Sequence, residues 1–162
     1  MIIPARSHHL PAINNIYNQA VADSFRTAHT NPVSPDERKQ WFADHSPSTY
    51  PVFVYLDDET VLGWLSISSY SKNRQALADV VEVSYYIDYN HHNQGIASAL
   101  MEHSLQFCRE YGYRIAVAIL VSDNKPSIAL LEKFGFSEAG RIPDGLNFDG
   151  EFRDHLYMYK KL

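Results

Sequence analysis

Across residues 80–111 the hydrophobic period changes from that of a strand to that of a helix within one short turn. Residues 80–88, VVEVSYYID, are β-branched and aromatic and contain no Gly or Pro, the composition of a strand in a covered sheet. Six polar or turn-prone residues, 89–94, and then Gly95 follow. Beyond them Ile96, Leu100, Leu105, Cys108 and Tyr111 mark one face of a helix. A strand entering a helix through such a turn aims free backbone N–H groups and the positive end of the helix dipole at one spot. Spots of this kind bind phosphates. No Gly-Lys-Ser/Thr follows, so this is not a P-loop, and the glycines of GxGxxG are missing. Glu82 is the one acidic residue between Asp79 and Asp88. A carboxylate there is either exposed on a half-covered face or kept for chemistry.

The flanking segments predict an α/β fold. Residues 1–5 read as an opening strand, and Leu10, Ile13, Ile16, Tyr17, Ala20 and Val21 predict a helix with Pro11 in its first turn. Residues 24–32 are irregular. Ser34-Pro35-Asp36-Glu37 supplies an N-cap, a Pro at N1 and a Glu at N3 for a helix carrying Trp41 and Phe42. Residues 52–56 and 60–69 form a hairpin around Asp57-Asp58-Glu59, and residues 71–75 turn into the Glu82 strand. Gly112 caps the central helix. Residues 114–121 are continuously apolar, as in a strand covered on both faces. Asp123-Asn124-Lys125-Pro126 opens a short helix through Lys133, stopped at Gly135; strands 136–142 and 152–159, joined by a loop at Asp144-Gly145, complete a mixed sheet.

Composition narrows the function classes. The 162 residues suit one domain, 1–162, with a full core. A net charge of −5 argues against a nucleic-acid surface. No apolar run reaches membrane-spanning length and no leader pattern opens the chain, so a cytoplasmic location with no membrane partner is expected. The lone Cys108 lies on an apolar stripe and reads as a buried hydrophobe. His8-His9, His91-His92, His103 and His155 lack metal-ligand spacing, so no metal is expected.

His92-Asn93-Gln94-Gly95-Ile96-Ala97 resembles the acetyl-coenzyme A signature of the GNAT superfamily of N-acetyltransferases, Gln/Arg-x-x-Gly-x-Gly/Ala, with His92 in place of Gln or Arg. Markers in order along the chain resemble the phosphinothricin N-acetyltransferase-like branch. They include Ile16-Tyr17-Asn18, Pro32-Val33-Ser34, Glu37-Arg38 with Trp41-Phe42, Tyr50-Pro51-Val52, Leu62-Gly63-Trp64, Glu82 with Tyr86, Asn124 with Ser127, Glu132 to Phe136, Gly150 and Asp154. The resemblance implies a GNAT fold: a central, mostly antiparallel mixed sheet flanked by helices, with acetyl-CoA at the turn between the fourth strand and the third helix. It also implies a homodimer.

Acetyl transfer to an amine requires removal of a proton, because amine pKa values run from about 8 to about 10.4. The resemblance assigns that task to Glu82, directly or through a water. It places the donor to the charge developing on the thioester oxygen at the Ile87 N–H, beside Tyr85 and Tyr86, on a strand opened by a bulge. It sets the pyrophosphate on the N–H groups of Asn93, Gln94, Gly95, Ile96, Ala97 and Ser98, after His92. Asn124, Ser127 and Lys133 fall in the second cofactor-contact motif, although Asn and Ser also commonly start helices. Leu131 stands where the family carries Tyr or His, so no residue is assigned as general acid. Arg74 and Thr27 match acceptor-site positions, Arg74 being equally a solvated turn cation. Leu77, Thr30 and Phe148 depart from the branch's pattern. The expected function is direct acetyl transfer from acetyl-CoA to a small, amino-acid-like amine. Alternatives are a protein or peptide N-acetyltransferase and a non-catalytic acyl-CoA sensor.

Overall fold

The alternation of residues 80–87 sorts their side chains onto the two faces of one sheet. The computed structural model describes residues 1–162. In chain order it contains β1 (Ile2–Pro4), α1 (Leu10–Ala22), α2 (Pro35–Ala43), β2 (Val52–Asp57), β3 (Thr60–Ser69), β4 (Val80–Ile87), α3 (Ile96–Tyr111), β5 (Ile115–Val121), α4 (Lys125–Lys133), β6 (Ser137–Phe148) and β7 (Glu151–Lys161). The strands form one sheet in the order β1-β2-β3-β4-β5-β7-β6. Only β4 and β5 pair in parallel.

Each face carries its own core. Val81 and Val83 of β4 pack with Leu65 and Ile67 of β3 against Leu100, Met101 and Leu105 of α3 and Leu131 of α4. On the other face Val52, Val54 and Trp64 pack against Ile13, Ile16 and Tyr17 of α1. Trp64 is anchored there by its indole N–H, which donates to the Ile13 carbonyl at 3.1 Å. α2 starts as its sequence predicts. The Glu37 N–H donates to Ser34 Oγ at 3.3 Å and the Ser34 N–H to Glu37 Oε2 at 2.7 Å.

β4 and β5 pair only at Val80–Ile115, Val81–Ala116 and Glu82–Val117. The exposed Arg114–Asp79 ion pair and the bond from the Arg114 N–H to the Asp79 carbonyl (2.9 Å) close that end. Beyond Glu82, β4 stays with β3 as far as Ile87–Gly63, and β5 stays with β7 as far as Val121–His155. The sheet therefore parts between them. The opening does not come from the bulge expected in the strand before the signature turn, for the β3–β4 ladder runs without a register shift.

Two further expectations change. The loop placed at Asp144-Gly145 is an irregularity within β6, between the pairs Ile142–His155 and Leu146–Arg153. The Asp144 N–H donates there to Asp154 Oδ1 at 3.1 Å. The hairpin turns instead at Asp149 and Gly150, whose φ values of 53° and 94° match a two-residue primed turn. Tyr111 points outward, 48% exposed, because α3 turns Met101 and Ser104 inward instead. Replacing Ser34 by Ala removes the α2 cap and is expected to cost about 1 kcal/mol. Urea unfolding at constant m-value measures this.

Candidate active site

The parting of β4 and β5 leaves backbone groups without a ladder partner. The Asp88 N–H donates to the Leu62 carbonyl and the Tyr70 N–H to the Val80 carbonyl, which sets the phase of the β3–β4 ladder. By that alternation the N–H groups of Tyr85 and Ile87 point away from β3, into the opening. A cavity lies on each side of the sheet here, and Ser84, Tyr86, Ile119 and Leu120 line both.

The first cavity, of about 410 Å³, lies between β4, α3 and α4. Its rim is the turn entering α3, where Asn93 (φ 61°) and Gly95 (φ 81°) adopt left-handed backbone. The first turn of α3 holds no acidic residue, and nothing lies within 4 Å of where a Cβ on Gly95 would be. These free N–H groups and the helix dipole fit a pyrophosphate. The turn is braced from outside. Gln19 of α1 donates through Nε2 to Asp88 Oδ2 and accepts from the Tyr89 N–H, both at 3.0 Å. His92 Nε2 donates to the Ile87 carbonyl at 3.1 Å, and His91 Nδ1 lies 3.2 Å from Asp88 Oδ1.

Among the residues expected to meet the cofactor, Tyr85, Tyr86, Ile87, His92, Asn93, Gly95, Ile96, Ala97, Ser98, Asn124 and Ser127 line this cavity. Gln94 does not line it. Lys133 lies outside the lining but donates from Nζ to Ser98 Oγ at 3.2 Å, which sets its charge at the start of α3. Asn124 also caps α4, accepting from the Ser127 N–H at 3.4 Å, so the helix-start reading holds together with the cavity placement. The Tyr85 hydroxyl bonds Ser127 Oγ and ties β4 to α4. Burial pushes that hydroxyl up to about 12. Leu131 is fully buried in the wall.

The second cavity, of about 550 Å³, lies on the α1–α2 side. Glu82 and Thr27 both line it. Burial raises the Glu82 carboxyl above its ordinary value, and the neighbouring Ser84 hydroxyl offsets this in part. Thr27 bonds the Tyr17 hydroxyl at 2.7 Å, and that hydroxyl also bonds His29 Nδ1. Tyr86, grouped by sequence with Tyr85, borders both cavities but packs its ring on this opposite face. Its ring sits 4.8 Å from that of Tyr17 and 5.0 Å from that of Trp64.

Arg74 is not brought to the site. It is exposed before the short helical turn Gln75–Leu77 and lines neither cavity. Two arginines given no role by the sequence reading are there instead. Arg26 lines both cavities and pairs with Asp23 at 3.0 Å. Arg38 lines the second and is only 4% exposed. Its signal was present in the chain. Arg38, Trp41, Phe42 and His45 follow helical spacing, which puts the arginine on the apolar stripe of α2.

The acetyltransferase (GNAT) family model matches residues 15–136. The chain belongs to the acetyltransferase (GNAT) family. YwnH of Bacillus subtilis is 36% identical over 159 residues, covering 98% of this chain and 96% of its own. The L-methionine sulfoximine/L-methionine sulfone acetyltransferase of Pseudomonas aeruginosa is 29% identical over 154 residues, covering 94% of this chain and 89% of its own. A GNAT superfamily phosphinothricin acetyltransferase from Sinorhizobium meliloti, solved in complex with acetyl-CoA, superposes with a TM-score of 0.93. It is 28% identical, and the match covers 100% of this chain and 88% of that one. In this GNAT chain Gly63 of β3 lies under the turn. A Cβ there would meet Ile87 Cδ1 at 2.6 Å, with Ile96 Cγ2 and the Tyr86 carbonyl at 3.2 Å. Gly63→Ala should therefore displace Ile87 and the start of α3. The expected cost is about 1–3 kcal/mol of stability, with weaker CoA binding. Thermal melts and calorimetric titration with CoA test this, and unchanged values for both would show that β3 absorbs the methyl.

Proposed function

We propose that this chain acetylates the primary amine of a small, amino-acid-like acceptor, drawing the acetyl group from acetyl-CoA by direct transfer. The observation that carries the reading is the meeting of two cavities at the parting of β4 and β5. One is bordered by the strand-to-helix turn with its free N–H groups, and the other holds the half-buried Glu82 carboxylate. The names of the relatives support it, since phosphinothricin and methionine sulfoximine are both amino acids that carry an amine.

The cofactor contributes an activated thioester whose acyl carbon accepts the amine. The turn at residues 93–98 holds its pyrophosphate, with Lys133 beside Ser98. Asn124, Ser127 and Tyr85 flank the arm that runs inward. The Ile87 N–H, free of the β3 ladder, faces the charge that builds on the carbonyl oxygen. Donors fixed in advance in this way contribute to rate because they need no reorganisation.

On the other side of the sheet Glu82 takes the proton of the incoming ammonium, directly or through a water. Burial raises its pKa above the ordinary carboxylate value, which improves the match to an amine. An alkyl thiol has a pKa of about 8.5, so the leaving sulfur departs as an anion and the apolar Leu131 is no obstacle.

Glu82→Gln is expected to lower kcat by about 10²–10⁴ at pH 7 while CoA affinity is retained. Because the base acts when ionised, the wild-type rate falls as pH drops through the Glu82 pKa, which burial has raised above the ordinary carboxylate value. The variant should lack that limb. Release of the CoA thiol across a pH series measures both, and unchanged turnover in the variant removes Glu82 from the mechanism.

A further inference from the structure

α2 ends on a histidine that is hydrogen-bonded through both ring nitrogens. His45 Nδ1 lies 2.8 Å from the Trp41 carbonyl, and Nε2 lies 3.0 Å from Ser68 Oγ. A carbonyl oxygen brings no hydrogen, so Nδ1 carries the ring proton and donates it. That bond also fills one of the last carbonyls of α2, which the helix itself leaves without a partner. In the neutral ring Nε2 is then a bare acceptor. Burial favours the neutral ring by holding His45 below its ordinary pKa. The imidazole packs on the Trp41 ring with centroids 4.4 Å apart, which fixes its plane. The Ser68 hydroxyl therefore donates to His45, and its one hydrogen is committed.

Ser68 stands directly opposite Glu82 in the β3–β4 ladder, and both line the second cavity. Facing residues on one side of a sheet have Cβ atoms about 4.5–5.5 Å apart. With its hydrogen given to His45, Ser68 offers Glu82 only lone pairs. Lone pairs repel a carboxylate and accept a hydrogen bond from the protonated acid, so they raise its proton affinity. Ser84, two residues along β4, acts in the opposite sense as a hydroxyl free to donate. Two hydroxyls thus flank the carboxyl, one a donor and the other held as an acceptor by a histidine outside the cavity lining.

No charged group competes for this role. Near His45 stand Asp44 beside it, Lys72 paired with Asp44 at 2.8 Å, and Arg38 two turns earlier on α2. The cavity that Glu82 lines is faced by Tyr17 from α1 and by Arg26 and His29 from the segment before α2. Glu37 and Arg38 of α2, Tyr86 of β4 and His155 of β7 complete its titratable lining. None of them acts on the Glu82 carboxyl as a charge, which leaves burial and the hydroxyls to set its proton affinity.

We propose that His45 and Ser68 are positioning residues for Glu82. By taking the Ser68 hydrogen, His45 turns that hydroxyl into an acceptor that favours the protonated carboxyl, and this strengthens the base. When the acceptor's ammonium N–H bond breaks, its proton passes to a Glu82 carboxylate oxygen, and the new O–H donates to Ser68 Oγ. No proton moves onto His45. The proposal rests on the reading of Glu82 as the base.

The test titrates the Glu82 carboxyl by NMR in the full chain with 13C-labelled glutamate, its resonance identified by its absence from Glu82→Gln. His45→Phe keeps a ring on Trp41 and removes Nε2. The Ser68 hydroxyl is then free to turn and donate to the carboxylate, so the Glu82 pKa should fall by about half a unit to one unit, the scale of one net hydrogen bond. In a Ser68→Ala background the same change should leave Glu82 where it was, because no hydroxyl is there to turn. An unmoved pKa in His45→Phe overturns the proposal. So does an equal fall in both backgrounds, which would trace to the ring itself. If His45→Phe does not fold, the 15N shifts of the wild-type ring at pH 7 decide: hydrogen on Nδ1 with Nε2 bare supports the proposal, and hydrogen on Nε2 overturns it. The acid limb of kcat/KM should follow the NMR titration from variant to variant. A limb that stays in place while Glu82 responds as stated, or that survives in Glu82→Gln, overturns the base reading and not the His45–Ser68 arrangement.

Discussion

The separation of β4 from β5 after Glu82 and Val117 is the constraint on which the rest of this structure depends. A sheet normally satisfies each buried N–H and C=O with a neighbouring strand. Here the two central strands keep their outer partners and give up each other. That turns backbone groups of Tyr85 and Ile87 from structural elements into groups available to a ligand. It also brings the cavities of the two faces together, so that molecules held by different helices can meet. Nothing comparable could occur between β2 and β3, whose pairing runs the length of the shorter strand.

The charges follow the same division. An acidic chain with a net charge of −5 must hold an anionic cofactor locally. The helix dipole and free N–H groups at the start of α3, with Lys133 beside Ser98, supply positive potential of the kind that suits an anion. On the opposite face the charged groups are few and poorly compensated. Arg38 is buried and Glu82 half-buried, neither with an ion partner, an arrangement that costs stability in the empty protein. The α1–α2 core tolerates it because Asn14 and three aromatic rings support the guanidinium.

Strand alternation supplies the sorting. Tyr85 and Tyr86 are neighbours in sequence and part company in space, one tied to Ser127 on α4 and the other stacked among Tyr17 and Trp64. One residue of register decides which face of the sheet each tyrosine ring meets.

Local features of the chain were legible in the sequence because local interactions produce them. The Ser34 capping box, the Gly112 stop, the strand before Gly95 and the left-handed Asn93 each depend on contacts within a few residues. The motif at residues 92–97 likewise identified the family. The β6–β7 turn was misplaced because Asp144-Gly145 and Asp149-Gly150 carry the same local signal. Pairing with β7 selects between them. Tyr111 was assigned inward by periodicity, but the packing of α3 on the sheet uses Met101 and Ser104. Above all, spacing singled out Arg74 and gave Arg38 no role, whereas the fold puts Arg38 in the wall of the second cavity and leaves Arg74 outside both. Arg74 sits in a polar turn that ends at the surface, whereas α2 folds Arg38 beneath Trp41 and over Trp64. The sequence by itself determined most of the elements, the family and the strand-turn-helix of residues 80–111. The tertiary structure alone decided which charges share a cavity, because burial and desolvation depend on residues that lie far apart along the chain.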